Sequence, residues 1–493
     1  MALIQDNLEQ DHAAEASYRR AVEVLSPLCA SHPNRNEFRE TLADALSSQC
    51  QFYDLRGRTG EAEAAGLRCL KIREELAAGE SSRQAQRDLG LACFRLALLY
   101  HRDSRFAAAE PLYNRALAVQ EGLARDEPGD DHCQHDLSQT LYELGYLYSL
   151  DGRIEKAVDL YEWQVRILRS LAAKRSDSSL YKHSLSASLN YLGTLYRRIS
   201  RFGDAERIGL EAVQLHETLV RDHPDIPNNR DTLAVGYVNL ANLYFELDRL
   251  EEAERMYRKA MAICDALMRS NPGIVRYRAR LASSYTHLGR VRGLLGHPQE
   301  ALDWLVRASE ALGPAITMQK QNAASSEGLR WIRVRKAEVL TALRRFPEAL
   351  TEWNRAIEGA ANRADKNEMA ASRSVTLARS GDLALALLEA RRILDDQNSD
   401  GEALYNAARV EGLAAAASRN DSALSPVERR ERVRLHTSRA QVALERAVAA
   451  GYPDTPRNFR LLKEEHDLDP LRGTPEFRLL MWDIAMPADP FEY

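Results

Sequence analysis

The sequence predicts an all-α protein, a solenoid built from antiparallel helix pairs, on three observations. Strong helix formers (alanine, leucine, arginine and glutamate) dominate, whereas glycine and proline number only 25 and 17 among 493 residues. Apolar residues recur at the three- and four-residue spacing of amphipathic helices. One short motif also returns with a nearly fixed period of about 48 residues, which is typical of repeat architectures.

The composition excludes some classes of protein. Hydrophobic residues make up 45% and charged residues 28% of the chain, which excludes an intrinsically disordered protein. The 67 lysines and arginines stand against 72 aspartates and glutamates, a net charge of −5. This near balance gives no compositional argument for binding nucleic acid.

The cysteines and the N-terminal residues indicate the cellular location of the chain. The six cysteines are scattered and form no Cys-x-x-Cys pair, as expected of reduced intracellular thiols. Asp6 stands where a secretion signal would have its apolar core. No run approaches the roughly 18 apolar residues that a membrane span requires. We therefore expect a soluble, cytoplasmic chain.

The repeated motif predicts the second helix of each pair. It begins with an alanine, continues with a bulky residue or glycine four positions later, and usually has a small residue three further on. Successive copies keep the same spacing to within one position, a register that chance does not produce. The first alanines of the eight copies are Ala14, Ala62, Ala109, Ala157, Ala205, Ala253, Ala301 and Ala349.

A second motif predicts the first helix. It lies about twelve residues before each alanine, with forms such as Leu144-Gly145 and Leu192-Gly193. Glycine or alanine there lets the second helix approach closely. Segment 151–153 (Asp-Gly-Arg) predicts a turn between the helices, and Asn271-Pro272 a boundary between units.

These strings carry a family resemblance. Segments 238–244 (Val-Asn-Leu-Ala-Asn-Leu-Tyr) and 252–260 (Glu-Ala-Glu-Arg-Met-Tyr-Arg-Lys-Ala) resemble the tetratricopeptide repeat (TPR), in the long form found in kinesin light chains and their bacterial relatives. The resemblance covers a regular array over residues 1–360, about eight units with the first one truncated. It implies a right-handed α-solenoid whose first helices line a concave face that binds other proteins.

Beyond residue 360 the period breaks. We expect degenerate TPR-like helices over 361–450, with an insert near 418–428, and a capping segment over 451–493. Two degenerate copies of the motif are Ala386/Ala390/Ile393 and Ala440/Leu444/Ala447, and the residues expected to pack over the last helix pair are Leu471, Phe477 and Leu480. The seventh first helix carries Arg333 and Lys336 at apolar positions of its siblings, so we expect it to pack loosely or to face water.

Both ends of the sequence raise an alternative. Counting back twelve residues from Ala14 reaches Ala2, so the chain opens on a second helix without its partner. We expect either that it is part of a longer polypeptide or that its start codon is assigned too late, or else that the lone helix serves as an N-terminal cap. Residues 467–477 are similar to the closing segment of large bacterial Ser/Thr protein kinases. The alternative function is therefore the interaction and regulatory region of such a kinase, with the kinase domain outside this chain.

No motif predicts an enzyme. The triplet 101–103 (His-Arg-Asp) imitates a kinase catalytic loop, but Ala108 stands where a metal-binding asparagine is required and no Asp-Phe-Gly follows. The cluster His132-Cys133-x-His135 would need further ligands to hold a metal. We interpret it as a polar helix start capped by Asp130 or Asp131, and segment 464–467 (Glu-Glu-His-Asp) as a solvated face. No cofactor and no metal site are expected.

Two basic stretches raise the nucleic-acid question, although the sequence as a whole predicts no nucleic-acid partner. Segment 428–439 alternates arginine with glutamate, which usually means a solvated helix face. Trp331 lies among Arg330, Arg333, Arg335 and Lys336, and an aromatic ring among cations can stack a base or grip an acidic peptide. A nucleic-acid-binding regulator would be retained on heparin in a salt-sensitive way.

The repeat register predicts which side chains face a partner. Asparagine can pair with a peptide backbone, and tyrosine and arginine are favoured anchors. The predicted groove residues are Phe94, Tyr142, Tyr146, Asn190, Thr194, Arg197, Asn239, Asn242, Thr286, Arg290, Trp331 and Arg335. Only Asn239 matches the carboxylate clamp by which some TPR proteins hold chaperone tails. The sequence thus predicts a non-catalytic scaffold or adaptor for a protein or peptide whose identity stays open.

Overall fold

The protein is all-α, as predicted. The computed structural model describes residues 11–79, 82–318 and 323–485, and all regular structure in those ranges is helical. The chain divides into two compact units, Met1–Leu219 and Val220–Tyr493. The division falls inside the predicted regular array, although the sequence motif continues across it in register.

The first unit contains nine helices within its described residues. They are α1 (Asp11–Ser31), α2 (Asn36–Leu55), α3 (Thr59–Gly79), α4 (Arg83–Arg102), α5 (Phe106–Asp126), α6 (Asp131–Leu150), α7 (Ile154–Lys174), α8 (Ser179–Arg198) and α9 (Phe202–Asp222), whose last turn crosses the division.

The second unit continues with regular pairs and then with shorter helices. They are α10 (Pro227–Glu246), α11 (Leu250–Ser270), α12 (Val275–Leu294), α13 (Pro298–Met318), α14 (Ala323–Ala342), α15 (Phe346–Glu358), α16 (Arg363–Ser380), α17 (Leu383–Asp395), α18 (Gly401–Asn420), α19 (Pro426–Ala449), α20 (Pro456–Glu464), a 3-10 turn (His466–Leu468), α21 (Asp469–Arg472) and α22 (Pro475–Ala485). None of the helices in the described ranges is long and apolar enough to cross a membrane.

The repeated motif forms the core of each pair. All eight first alanines of the motif are buried, and none is more than 3% exposed. Four residues later, bulky side chains such as Tyr113, Tyr161 and Trp353 are also fully buried. The first helix makes room for the residue at this motif position. In the pair that contains Leu305 at that position, for example, a Cβ atom on Gly289 would lie only 2.9 Å from Cγ of Leu305. The small residues therefore permit close approach of the two helices, as the sequence predicts.

The turns inside the helix pairs share one backbone conformation. Seven residues at the same register position have φ between 57° and 83°, namely Gly57, Ser104, Gly152, Ser200, Asp248, Gly296 and Arg344. The next amide donates to a carbonyl five residues back, as from Arg105 to Tyr100 at 2.8 Å. The same arginine stacks on the same tyrosine, with the guanidinium carbon 4.2 Å from the ring centre.

This tyrosine–arginine clasp recurs and links neighbouring pairs, a feature that the repeat motif does not predict. Arg105 is also bonded to Glu63 of the preceding pair, at 2.7 Å and 3.0 Å. Arg153 bonds Glu110 in the same way, at 2.7 Å and 2.9 Å. The five clasps are Tyr53/Arg58, Tyr100/Arg105, Tyr148/Arg153, Tyr196/Arg201 and Tyr244/Arg249.

The seventh first helix, α14, is not loose. Ile332, Ala337 and Leu340 are all buried against neighbouring helices. The Lys336 ammonium pairs with Glu352 of α15 at 3.0 Å. The Arg333 guanidinium donates to the carbonyl of Arg355 at 3.2 Å. The expectation of loose packing is wrong, because both cations find partners on the adjacent helix.

The C-terminal segment is packed on the last helix pair. Leu471, Phe477 and Leu480 are buried in one cluster with residues of α18 and α19. The expected insert near 418–428 is shorter in the structure, because α18 runs to Asn420 and α19 begins at Pro426. Ser425 and Glu428 form a capping box that starts α19 immediately.

Part of segment 464–467 is not a solvated face, contrary to the sequence interpretation. Asp467 is 6% exposed and forms ion pairs with Arg379 at 2.8 Å and with Arg409 at 3.0 Å. Glu465 pairs with the same two arginines, at 3.2 Å and 3.0 Å. The segment is therefore joined by ion pairs to α16 and α18. This role cannot be predicted from the sequence, because the two arginines lie far from the segment along the chain.

Candidate partner-binding surface

In the first unit, the predicted tyrosines of α6 join an aromatic cluster. The ring of Tyr142 lies 5.6 Å from Tyr161 and 5.4 Å from Tyr191 between centres, and Tyr146 lies 5.8 Å from Tyr191. Tyr161 is completely buried beneath the others. Tyr191 of α8 remains 38% exposed. We call these four residues the tyrosine cluster.

Phe94 connects to this cluster through a buried histidine. The Phe94 ring lies 6.0 Å from the Tyr113 ring between centres. The Tyr113 hydroxyl in turn is 3.3 Å from Nδ1 of His101. The His101 ring stacks on Tyr146 at 5.5 Å. Side chains from α4, α5, α6, α7 and α8 thus form one continuous aromatic surface with partly exposed members.

One acidic group lies within this aromatic surface. The carboxylate of Glu143 is 3.7 Å from Nδ1 of His101. Burial raises the pKa of Glu143, and burial also lowers the pKa of His101. The surface therefore combines apolar rings with a single carboxyl group, which suits a ligand that has both apolar and cationic or hydrogen-bonding groups.

The predicted residues of α8 are largely engaged within the protein. Nδ2 of Asn190 donates to Nε2 of His216 at 3.0 Å. Burial lowers the pKa of His216 to about 4, so its neutral ring accepts this bond at neutral pH. The hydroxyl of Thr194 donates to the carbonyl of Asn190 at 3.0 Å. Arg197 is half-buried near the end of the same helix.

In the second unit, the predicted residues of α10 and α12 differ in accessibility. Asn239 is half-buried, whereas Oδ1 of Asn242 accepts a hydrogen bond from Tyr257 at 2.5 Å. The hydroxyl of Thr286 is buried and donates to the carbonyl of Ala282 at 2.8 Å. Asn242 and Thr286 thus have partners within the protein, and their contact with a ligand stays a prediction.

The basic residues near Trp331 are dispersed by the fold. Only Arg335 stacks on the Trp331 ring, with Cζ 4.5 Å from the ring centre. Arg330 instead pairs with Asp365 of α16 at 2.5 Å. Trp331 itself is 45% exposed. Arg290, with Cζ 4.2 Å from the centre of the Phe245 ring, lines one pocket together with Thr286, Trp331 and Arg335.

The motifs weighed for catalysis and metal binding have structural roles. His101 and Arg102 end α4, and Arg102 donates to Asp54 at 2.5 Å. The Asp130 carboxylate caps α6 by accepting from the amides of His132 and Cys133, at 2.9 Å and 3.3 Å. Across the described residues, no group of three or more His, Cys, Asp and Glu side chains is arranged to hold a metal ion.

Sequence reasoning missed three members of the aromatic surface. Tyr191 lies one residue beyond Asn190, the register equivalent of Tyr142, so a mapping by exact period passes over it. His101 stands out in the sequence only as part of a catalytic-type triplet, and Glu143 carries no distinguishing signal. A mapping that included adjacent positions of each first helix would have found Tyr191.

Comparisons with known proteins agree with the repeat pattern. Segments 92–125, 185–225 and 232–312 match tetratricopeptide repeat family models. A search of the curated proteins gave no significant match. These three matches and the helix pairs confirm that the chain contains tetratricopeptide repeats.

Solved structures of similar fold include the apo form of RapI, which is 12% identical over 83% of this chain and 99% of its own, with a TM-score of 0.54. BtubC (BKLC) from P. vanneervenii is 24% identical over 53% of this chain and 92% of its own, with a TM-score of 0.40. A tetratricopeptide repeat protein from Parabacteroides merdae is 16% identical over 68% of this chain and 98% of its own, with a TM-score of 0.39. The likeness to RapI, at 12% identity and a TM-score of 0.54, shows a shared fold and nothing further.

Proposed function

We propose that this chain, a tetratricopeptide repeat protein, is a non-catalytic scaffold or adaptor that binds a protein or peptide on the face formed by its first helices. The observation that carries the proposal is the aromatic surface of the first unit. Partly exposed rings from three successive first helices meet there, at residues Phe94, Tyr146 and Tyr191. Tyrosine is enriched among the residues that dominate binding energy at protein interfaces.

The surface is suited to a partner because it is fixed before binding. Tyr142 and Tyr191 pack edge-on, and Tyr161 stacks beneath Tyr191 at 5.8 Å with an angle of 10° between the rings. Rings held in this way lose little side-chain entropy when a partner binds. In the second unit, Trp331 with Arg335 offers another anchor. We also propose a cytoplasmic location, because all six cysteines are free thiols.

The test is quantitative affinity capture of the tagged full chain and matched variants. We expect a partner that co-purifies with the native chain to fall about tenfold or more with Tyr146→Ala plus Tyr191→Ala, because both anchors are lost. The control is Leu67→Ala plus Leu210→Ala, which changes two exposed residues of second helices in the same unit. Circular dichroism melting of all variants checks that the fold is kept.

Two results would contradict the proposal. In the first, no protein is enriched with the native chain over a tag-only control. In the second, the leucine control loses the partner while the tyrosine variant retains it, which would place binding on the second helices.

A second candidate is that the same binding region serves a bacterial Ser/Thr protein kinase. It is favoured by the resemblance of residues 467–477 to the closing segment of such kinases. A C-terminal tag on the chromosomal copy distinguishes the two. A band near the 55.5 kDa of this chain supports a separate adaptor, and a much larger band with kinase peptides supports the kinase.

A further inference from the structure

The second unit contains a cavity into which five helices each place one arginine. Its volume is about 290 Å³, close to the lower limit of small-molecule sites. The arginines are Arg290 of α12, Arg335 of α14, Arg379 of α16, Arg409 of α18 and Arg457 of α20. Such convergence from separate elements is not produced by the repeat period, because the spacings between these residues are irregular.

The acidic residues around the cavity compensate only part of this charge. Arg379 and Arg409 are paired with Glu465 and Asp467 at 2.8–3.2 Å. The terminal nitrogen of Arg335 pairs with Glu338 at 2.7 Å. The carboxylate of Glu402 also lines the cavity.

Arg290 and Arg457 have no carboxylate partner among the described residues. The buried Nε atoms of Arg290, Arg335 and Arg457 also lack hydrogen-bond partners there. Burial, together with the positive charges of Arg335 and Arg457, lowers the pKa of Arg290 to about 9. Burial and the charge of Arg335 lower the pKa of Arg457 as well. A buried guanidinium without a paired carboxylate is unfavourable, and an anion in the cavity would offset this cost.

Aromatic rings hold these guanidinium groups in position. Cζ of Arg290 lies 4.2 Å and Cζ of Arg457 lies 4.6 Å from the centre of the same ring, that of Phe245. Arg335 is held by Trp331. Guanidinium groups fixed by stacking present their remaining N–H donors as planar forks, which match the oxygens of phosphoryl and carboxylate groups.

We propose that this cavity binds a small organic or inorganic anion with at least two negative charges, carried by phosphoryl or carboxylate groups. Arg290 and Arg457 would be its main counter-charges. Asn406 and Asn458 also line the cavity, and each amide nitrogen has a second N–H beside the one that it donates to Ser372 or Asp454. The compact volume and the wall formed by α20 favour a small molecule over a peptide segment. The proposal does not depend on partner binding at the tyrosine cluster.

The test is titration of the full chain, without a partner, with pyrophosphate and with citrate. Binding is followed by calorimetry and by intrinsic tryptophan fluorescence, to which Trp353 in the cavity lining contributes. We expect saturable binding of one probe or both, beyond the effect of sodium chloride at equal ionic strength. Arg290→Gln and Arg457→Gln should each raise Kd about tenfold or more, since a charge-assisted contact is lost. Arg391→Gln, an exposed change on α17, should leave Kd unchanged.

Several outcomes would overturn the proposal. One is the absence of saturable binding by either probe at millimolar concentration. Another is binding that survives in both arginine variants. A tetraglutamate peptide that binds more tightly than citrate would move the site from a small molecule to an acidic segment of a partner. Should Arg290→Gln fail to fold, Arg290→Lys keeps the charge but loses the fork, and an unchanged Kd in that variant would also reject the site.

Discussion

At the scale of single residues, close approach between helices depends on glycines of the first helices. Gly289 of α12 lies against α13, and an added Cβ would come within 2.9 Å of Leu305 and 3.0 Å of the Ala301 carbonyl oxygen. The carbonyl belongs to the backbone and cannot rotate away. Gly145 meets Tyr161 in the same way, also at 2.9 Å. The repeat thus permits large buried residues on one helix only where the other is narrow.

We predict that Gly289→Ala lowers the free energy of unfolding of the second unit by about 1–3 kcal/mol, because it overpacks a fixed contact. Gly313→Ala is the matched control, since its added Cβ would meet no atom within 4 Å. That variant should be neutral or gain up to about 1 kcal/mol from helix propensity. Urea unfolding of both variants measures the difference. Equal effects of the two substitutions would contradict the close-approach explanation.

At the scale of elements, the turn between paired helices sets how each pair closes. Three of its seven copies use glycine at the left-handed position, and the other four use Ser104, Ser200, Asp248 and Arg344. Left-handed backbone is strained for residues with a Cβ atom. The clasp between tyrosine and arginine helps to hold this geometry in most copies, whereas the turn at Arg344 has leucine at the tyrosine position, Leu340.

We predict that Arg344→Gly stabilises the protein by about 0.5–1 kcal/mol, because it removes strain at a residue with φ of 57°. Gly152→Ala should destabilise it by about 1 kcal/mol, since it introduces the same strain where φ is 77°. Denaturant unfolding midpoints give both values. If the two substitutions shift stability in the same direction, backbone strain is not the deciding factor in these turns.

At the scale of the whole molecule, the second unit has a contact that pairwise stacking does not supply. In the second unit, α20 packs on α10, a helix far earlier in the chain. Arg460 donates to Asp248 at 2.6 Å, although 212 positions separate them in sequence, and Arg457 lies against Phe245. This contact joins the last helices of the unit to its first helix and provides one wall of the arginine-lined cavity.

We predict that Arg460→Ala increases the hydrogen exchange of α20 amides by up to about fivefold, because a partly exposed ion pair contributes up to about 1 kcal/mol. Asp248→Asn should give the same increase, since it removes the other partner while asparagine tolerates the left-handed backbone. Exchange in α16 should not change, and Arg391→Ala serves as the surface control. An equal increase throughout the unit would instead mean global destabilisation.

The helix pairs and their register follow from the amino-acid sequence alone. The buried alanines and the facing glycines follow from the fixed period, because every copy of a repeat buries equivalent positions against its neighbours. Part of the aromatic surface could be predicted for the same reason: Phe94, Tyr142 and Tyr146 are named by the register, and all three are half-buried members of that surface. Tyr191 falls one residue off the period, so it could not be predicted from the register alone.

Features that depend on distant or non-periodic contacts become visible in the folded chain and not in the repeat pattern. Arg330 and Lys336 look like members of one basic patch, yet each finds a carboxylate on a following helix. Asn242 and Thr286 stay predicted partner contacts, and the internal hydrogen bond that each also forms is not visible in the repeat pattern. The meeting of Arg290 with Arg457 at Phe245 depends on the return of α20 to α10. A repeat pattern describes contacts between neighbouring helix pairs. It cannot predict the contact of α20 with α10, because these helices lie far apart in the chain.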